Sequence, residues 1–204
     1  LIENLKDERN QRDRIIAKQT LELTNEISER RKSQKKFEKL SVIDDLTGIH
    51  NRRSINDALK NEVARAERYG ELFSIIMVDI DKFKAVNDTY GHNVGDEVLQ
   101  SFTKHVQGYL RKTDMLARYG GEEFVILLPH ANDTATLNLA NRIRKGTMEM
   151  EASASEKALF ITISAGIAQF TPKQSQDMDD LLKRADKALY EAKRSGRNRC
   201  VAAA

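Results

Sequence analysis

The chain contains few of the residues that mark secreted or membrane-spanning proteins. Its single cysteine, Cys200, rules out an internal disulfide framework, and we therefore expect a reducing, cytoplasmic environment. We find neither a signal peptide nor an apolar run long enough to cross a membrane. The net charge is only +3, and acidic and basic residues are interleaved, so the basic patch of a nucleic-acid-binding protein is also missing.

Residues 1–40 lack glycine and proline entirely and contain no aromatic residue before Phe37. Their abundance of Lys, Arg, Glu and Gln predicts one helix of roughly 60 Å. A heptad register can be drawn, but polar residues fill half of its core positions, so it describes a weak parallel coiled coil that would join two copies of the chain. A solvated helix ordered only by its neighbours is the alternative. Because the chain begins with Leu1 rather than Met, we expect a longer parent protein with a sensory region and a possible membrane attachment.

Residues 41–204 form one predicted domain, whose apolar content is sufficient for a core. Hydrophobic periodicity and the positions of glycine and proline predict its elements. Helices are predicted at residues 52–69, 96–111, 132–149 and 178–194, and strands at residues 73–80, 160–170 and 199–201. A hairpin is centred on Gly120 and Gly121, and its second strand ends at Pro129. A loop with a short helical turn is predicted at residues 81–95. This order predicts an α/β fold, an α+β sandwich in which helices flank a mixed central sheet.

Two aspartates lie at the end of the predicted strand at residues 73–80. The run from Phe73 to Ile80 is almost continuously apolar, as in a strand that is buried on both faces. Alternation places Asp79 and Asp81 on one face at the C-terminal end of this strand. Open α/β sheets usually bind their ligands at that end of the strands.

A second acidic pair, Glu122 and Glu123, follows Gly120 and Gly121. The glycines predict a tight hairpin turn with positive φ angles. Carboxylates at the start of a strand that enters a core are costly to bury without a partner or a metal ion, although a solvated hairpin tip is the simpler alternative. Beside the two aspartates they would form an all-oxygen cluster, which suits Mg²⁺ or Mn²⁺ together with substrate phosphates.

These acidic motifs and three others occur in the order found in a known family. The motifs are residues 44–53 (DDLTGIHNRR), 79–84 (DIDKFK), 87–92 (NDTYGH), 120–124 (GGEEF) and 188–193 (ALYEAK). Over residues 41–201 the chain resembles the GGDEF domains, the diguanylate cyclases, in a GGEEF form. The resemblance implies a fold similar to nucleotidyl cyclases and polymerase palm domains. The Glu-Ala-Leu signature of the phosphodiesterases that break down the product is absent, so breakdown is not expected.

The resemblance implies a metal site. Asp79 and Glu122, with the backbone carbonyl of Ile80, would hold two Mg²⁺ ions, or Mn²⁺, that neutralise a triphosphate and activate a ribose 3′ hydroxyl for in-line displacement. Glu123 adjoins them as a further ligand or a base. Strand alternation would send the two glutamates to opposite sides, which favours Glu122.

The resemblance also implies residues that bind GTP. Backbone N–H groups from Asp81 to Phe83 would cover phosphate charge, and Arg118 would act in the transition state. Without the resemblance, Lys193 and Arg197, placed one helical turn apart, would more often be basic residues that complement a helix C-terminus. The expected phosphate-binding residues are Lys82, Phe83, Lys84, Arg118, Lys193 and Arg197.

The resemblance implies guanine recognition by Asn87 and Asp96, and an aspartate can accept hydrogen bonds from N1 and N2 of guanine. Asp96 is also predicted as a helix N-cap, and the two roles are compatible.

An RxxD motif precedes the hairpin, at Arg111 and Asp114, with five residues between Asp114 and Gly120. In the family this motif binds the product, cyclic di-GMP, as an inhibitor, and Arg142 on the next helix is a candidate second arginine. The alternative is a helix that ends at an arginine and is followed by an aspartate in a turn.

The reaction implied by the resemblance needs two copies of the domain. Each would bind one GTP with Mg²⁺, and each 3′ hydroxyl would attack the α-phosphate of the other nucleotide, which yields cyclic di-GMP and two pyrophosphates. A homodimer through the N-terminal helix would bring the two domains together. The rival hypotheses are a receptor for GTP or cyclic di-GMP that no longer catalyses, and a passive scaffold that interacts through residues 1–40.

Overall fold

The computed structural model of the protein describes residues 42–152, 159–172 and 177–203, together with four residues near the N-terminus, Gln19, Thr20, Thr24 and Glu26. The chain separates into two compact units, Leu1–Ser41 and Val42–Ala204. In the first unit the four described residues are helical, and the rest of the predicted helix over residues 1–40 lies outside the described residues. The second unit contains the sheet, the helices that cover it and the predicted site residues.

A mixed sheet of six strands lies at the centre of this unit, in the order β1-β3-β4-β2-β5-β6. The central strand β2 is antiparallel to both of its neighbours, whereas the pairs at the two edges, β1 with β3 and β5 with β6, are parallel. The strands are β1 His50–Asn51, β2 Phe73–Ile80, β3 Met115–Gly120, β4 Glu123–Pro129, β5 Ile163–Phe170 and β6 Cys200–Ala202. The predicted mixed sheet is confirmed.

The helices cover the two faces of this sheet. They are α1 Arg52–Tyr69, α2 Phe83–Tyr90, α3 His92–Gln107, α4 Asp133–Glu149 and α5 Met178–Arg194. The bounds predicted for α1 and α5 are the observed ones, because both helices have clear end signals. Asn51 caps α1 by accepting a hydrogen bond from the backbone N–H of Ser54, and Gly70 ends it in the left-handed conformation.

Strand alternation divides the core into two layers. Ile76 and Val78 of β2 pack in the cluster that includes the apolar faces of α3 and α4, and Ile75 and Met77 pack in the cluster formed with α1 and α5. By the same alternation, Asp79 lies on the same face of β2 as Ile75 and Met77. The C-terminal end of β2 therefore presents Asp79 toward the side of the sheet that carries α5.

The prediction for residues 81–111 is wrong in its boundaries. The helix predicted at residues 96–111 is α3, which begins and ends four residues earlier, and most of the loop predicted at 81–95 is the helix α2, which only Gly91 separates from α3. Gly95 lies inside α3, where a Cβ atom would overlap Oδ1 of Asn87, so this glycine allows the two helices to approach closely. Because α3 begins at His92, Asp96 lies within the helix and is not its N-cap.

The hairpin also differs from its prediction. Neither Gly120 nor Gly121 has a positive φ angle. Gly121 and Glu122 form the turn, and the register shifts between Arg118 and Gly120 as in a β-bulge. A Cβ atom at Gly120 would lie 3.2 Å from Oε2 of Glu123, so the Glu123 carboxylate lies close to the backbone of this glycine.

The last two strands begin slightly later than predicted, β5 at Ile163 and β6 at Cys200. Among the described residues, none of the helices combines the length and the apolar character that a membrane crossing requires.

Candidate active site

Asp79 is a buried carboxylate that faces both an ammonium group and other acids. It is 6% exposed, and its Oδ2 lies 2.6 Å from Nζ of Lys193 near the end of α5. Burial and, to a lesser extent, the charges of Glu122 and Glu123 raise the pKa of Asp79 to about 6, although Lys193 opposes the shift. The site therefore holds a negative charge that the protein alone compensates only in part.

The hairpin brings both of its glutamates to Asp79. Glu123 is the residue directly opposite Asp79 in the β2–β4 ladder, and the N–H of Ile80 donates to the carbonyl of Glu122 at 3.3 Å. Glu122 lies in the turn rather than in the strand, so strand alternation does not determine its direction. Alternation therefore gives no reason to favour Glu122 over Glu123, and both carboxylates act on Asp79.

The donors at this site are all oxygens. The set expected to hold a divalent ion consists of two carboxylates, Asp79 and Glu122, and the backbone carbonyl of Ile80. Within the described ranges, no three Asp, Glu, His or Cys side chains converge on one point as metal ligands do. A buried carboxylate that two glutamates repel nevertheless requires a positive charge, which Lys193 supplies here. The donor chemistry fits a hard divalent cation such as Mg²⁺ or Mn²⁺.

Asp81 does not join this cluster. Its carboxylate is 7% exposed and accepts hydrogen bonds from Oγ1 of Thr162 at 2.8 Å, Oγ of Ser164 at 2.7 Å and the backbone N–H of Asn198 at 3.0 Å. Its own N–H donates to the carbonyl of Thr162 at 2.9 Å, so this group is not free to bind phosphate as predicted.

The basic residues predicted for phosphate binding occupy different positions around the site. Lys193 contacts Asp79 directly. Arg197 is exposed and follows the end of α5 with a φ angle of 62°, so it is not one helical turn from Lys193 as predicted. Lys82 and Lys84 are exposed at the start of α2, and Phe83 is buried. The first turn of a helix leaves N–H groups without intrahelical partners, so this end of α2 can receive an anion.

Arg118 fixes the hairpin turn. Its Nε and Nη2 donate to the carbonyl of Gly121 at 3.0 and 2.9 Å, and its Nη1 donates to Oδ1 of Asp44 at 3.2 Å. Burial alone would raise the pKa of Asp44, but hydrogen bonds from Thr47 and the Arg118 guanidinium outweigh it, so the pKa lies below 3.8. Arg118 thus joins the N-terminal segment of the domain to the tip of the hairpin.

The two residues expected to recognise guanine are close together. Asn87 of α2 is half-buried, and its carboxamide lies against Gly95 of α3. Asp96 is the next residue on α3 and is exposed. Asn87 therefore lies against the residue that precedes Asp96, and the two residues belong to adjacent helices.

The RxxD motif forms both a turn and part of a cleft. The N–H of Arg111 donates to Oδ2 of Asp114 at 2.8 Å, as expected for an aspartate in a turn. Arg111, Asp114 and Arg142 also line one cleft of about 220 Å³, in which the Arg142 guanidinium lies 5.6 Å from the centre of the Tyr109 ring. This cleft lies at the other end of β3 from the hairpin turn, roughly 20 Å away at the rise of a strand.

Several partners of the site residues have no clear sequence signal. The sequence places Asp44 only in a turn, and nothing local indicates that Arg118 reaches it. Thr162, Ser164 and Asn198 belong to none of the predicted motifs. The one available signal is the pair of hydroxyls spaced two apart at the start of β5, where an otherwise apolar strand offers two donors on one face.

Comparison with known proteins gives a consistent match. Residues 41–199 match the family model described as diguanylate cyclase, GGDEF domain. The response regulator PleD of Caulobacter vibrioides is 42% identical over 164 residues, which are 79% of this chain and 36% of PleD. The diguanylate cyclase DosC of Escherichia coli is 40% identical over 158 residues, 77% of this chain and 34% of DosC. The chain thus spans about a third of the length of these curated relatives.

The fold has a similar match among solved structures. The coiled coil and GGDEF domain of DgcB from Caulobacter crescentus, crystallised in complex with c-di-GMP, aligns with a TM-score of 0.76 and 30% identity. The alignment covers 92% of this chain and 99% of the DgcB chain. The predicted fold class is confirmed by this similarity.

Proposed function

The chain belongs to the diguanylate cyclase GGDEF domain family, and on that premise we propose that it condenses two GTP molecules into cyclic di-GMP and two pyrophosphates. The observation that carries the proposal is the cluster around Asp79, where a buried carboxylate faces Lys193 and two hairpin glutamates. Such a cluster suits a triphosphate with its divalent ions better than it suits a packed core.

We propose that Asp79, Glu122 and the carbonyl of Ile80 hold two Mg²⁺ ions, with Mn²⁺ as an alternative. When bound, the ions would neutralise phosphate charge and increase the acidity of the attacking hydroxyl. Glu123, opposite Asp79, would add negative charge that favours cation binding or accept the proton of the 3′ hydroxyl.

The other residues of the site would bind and orient the nucleotide. Lys193 and Arg197 bring positive charge from α5 and the turn after it, and Lys84 brings charge from α2. The N-terminal N–H groups of α2, after Lys82, would cover a phosphate. Arg118 would hold the hairpin turn in place through Gly121 while the charge on the phosphates develops.

Asn87 and Asp96 would select guanine. The Asp96 carboxylate can accept hydrogen bonds from N1 and N2, whereas adenine lacks a donor at N1. A site with such a carboxylate rejects a base that leaves it unpaired. This accounts for GTP rather than ATP as the substrate.

Two copies of the domain would be required for one product molecule. Each 3′ oxygen forms a bond to the α-phosphorus of the facing nucleotide, the bond to the β-phosphate oxygen breaks, and pyrophosphate leaves. A homodimer through residues 1–40 would raise the local concentration of facing sites. The coiled coil that accompanies the GGDEF domain in the DgcB structure supports this arrangement. A free thiol at Cys200 and the need for GTP are consistent with a cytoplasmic domain.

The cleft at Arg111, Asp114 and Arg142 would bind cyclic di-GMP and reduce activity. Arginines suit the phosphates, and the carboxylate suits guanine edges. The presence of c-di-GMP in the DgcB crystal supports the ligand class. This cleft is also the observation that favours a second candidate, a receptor without catalysis. The variant Glu122→Ala separates the two, because a receptor would keep its response to the ligand and a cyclase would lose product formation.

The test is incubation of the purified chain with GTP and Mg²⁺, followed by chromatographic separation of the nucleotides. Cyclic di-GMP and pyrophosphate are expected, with a rate per chain that rises with protein concentration. Asp79→Asn should abolish the product, and Asp186→Asn, a change at an exposed aspartate on α5, should not. Unconsumed GTP over a wide range of protein concentrations would refute the proposal.

A further inference from the structure

The turn between α5 and β6 has an unusual backbone. Three consecutive residues have positive φ angles, Gly196 at 115°, Arg197 at 62° and Asn198 at 46°. Only the first is a glycine, and residues with a side chain seldom adopt this region of backbone conformation. Surrounding contacts must therefore hold this turn in place, and Arg197 lies at its centre.

Those contacts come from three directions. The N–H of Arg197 donates to the carbonyl of Ala192 at 3.0 Å, which joins the turn to α5. Nη1 of Arg144 on α4 donates to Oδ1 of Asn198 at 2.9 Å. The N–H of Asn198 donates to Oδ2 of Asp81 at 3.0 Å, which joins the turn to the end of β2.

Asp81 is itself held firmly. Hydrogen bonds from the hydroxyls of Thr162 and Ser164, at 2.8 and 2.7 Å, fix its carboxylate to the start of β5. With three donors on two oxygens and 7% exposure, it is occupied as an acceptor and does not face a ligand. Asp79 lies two residues earlier in the chain, so this bond ties the turn that carries Arg197 to the carboxylate cluster.

We propose that Asp81 is a positioning residue of the active site. Through the backbone N–H of Asn198 it keeps residues 196–198 in their strained conformation, and this places Arg197 for the triphosphate. The inference rests on the proposed function, because it assigns to Asp81 an effect on GTP binding. Asp81 acts through Arg197 and touches neither the nucleotide nor the metal ions.

The test is a double-mutant cycle on GTP turnover with Asp81→Asn and Arg197→Ala. The asparagine is isosteric but has one acceptor oxygen where three donors converge, so we expect KM to rise about tenfold, the scale of a lost hydrogen bond to a charged group. The change in kcat should stay within about threefold, since the substitution weakens binding of GTP in the ground state. In the Arg197→Ala background, Asp81→Asn should alter KM by less than about twofold.

Two further variants keep the test decisive. Asn198→Gly tolerates a positive φ angle and keeps both the N–H that donates to Asp81 and the backbone carbonyl that accepts from Nη1 of Arg144 at 3.3 Å, so its KM should stay within about threefold of wild type. Arg144→Met removes the guanidinium that donates to Asn198 and should also raise KM, again non-additively with Arg197→Ala. This variant takes the place of Asp81→Asn in the cycle if Asp81→Asn does not fold. Asp186→Asn is the control for loss of an aspartate.

The outcomes are distinct for the two proposals. A wild-type chain that makes no product contradicts the proposed function. A wild-type chain that makes product, combined with additive effects of the Asp81 and Arg197 changes on KM, overturns the positioning role alone. An Asp81→Asn variant with unchanged KM also overturns the positioning role alone.

Discussion

Nζ of Lys193 lies 2.6 Å from Oδ2 of Asp79, and this pair joins the end of α5 to the end of the central strand. The aspartate side chain is buried and the lysine side chain is about one third exposed, so the aspartate depends more on the pair than the lysine does. The pair also shows how the site balances its charge, because Glu122 and Glu123 both act against the ionised form of Asp79.

Removal of the lysine charge should destabilise the metal-free domain. In Lys193→Met, Asp79 remains buried without its cation, and we expect the free energy of unfolding to fall by about 1–2 kcal/mol. This loss is smaller than for a fully buried pair because the lysine is partly solvated. The measurement is urea unfolding at pH 7.5 with EDTA. Lys183→Met, at an exposed lysine of the same helix, is the control, and equal stabilities of the two variants would contradict the assignment.

Replacement of Asp79 should separate stability from activity. Asp79→Asn removes a buried charge that two glutamates repel, so the melting temperature in EDTA should be equal to or above that of the wild type. Product formation should fall by at least about a hundredfold, the scale of losing one preorganised electrostatic group. Mg²⁺ with GTP should raise the melting temperature of the wild type and leave that of the variant unchanged. A variant that melts well below the wild type in EDTA would show that the charge stabilises the fold.

The hydrogen bonds from Thr47 and the contact with Arg118, which together lower the pKa of Asp44, should make the free energy of unfolding depend on pH in acid. The folded pKa of Asp44 lies below its unfolded value of 3.8, so its contribution is fully present above that value and is lost as pH falls through the folded pKa. Asp44→Asn should lower the free energy of unfolding by about 1 kcal/mol at pH 7, and this difference from wild type should vanish in strong acid. Chemical unfolding of both proteins from pH 7 to pH 2.5 measures this difference in the free energy of unfolding. A difference that stays constant over this range would exclude the charge as its source.

The contact between Asn87 and Gly95 should matter for nucleotide binding. In Gly95→Ala the new methyl group would meet Oδ1 of Asn87 and displace the carboxamide. We expect KM for GTP to rise about tenfold, as for one lost hydrogen bond to the base. Lys104→Ala, at an exposed position of the same helix, is the control. Unchanged KM in Gly95→Ala would remove Asn87 from the nucleotide site.

The single cysteine should react slowly. Burial raises the pKa of the Cys200 thiol to about 11 although Arg144 lowers it, so little thiolate is present at pH 8. Iodoacetamide should therefore modify the native chain much more slowly than the urea-unfolded chain, as followed by mass spectrometry. Equal rates in both states would show that Cys200 is accessible and ionised.

Elements with local signals can be predicted from the sequence. The predicted ends of α1 and α5 are correct because Asn51, Gly70 and Asp177 form caps that involve only neighbouring residues. The prediction of β2 is correct because a run of buried apolar residues has few alternative structures. Asp79 and the hairpin glutamates come together, since they lie where an apolar strand ends or begins, but Asp81 does not join them.

The features that sequence patterns miss depend on contacts between distant segments. The sequence places Gly95 in a loop, yet the reason for this glycine is the approach of Asn87 from another helix. Alternation groups Asp81 with Asp79, but the partners of Asp81 come from β5 and from the turn after α5. Local patterns predict which face a residue occupies and do not predict which donors meet it there.

The most direct test of the proposed metal site is the position of Mn²⁺ in crystals grown with a non-hydrolysable GTP analogue. The anomalous signal of manganese should lie between Asp79 and Glu122, with the triphosphate against Lys193. An analogue bound with no manganese signal at these carboxylates, or with the signal elsewhere on the domain, would contradict the account.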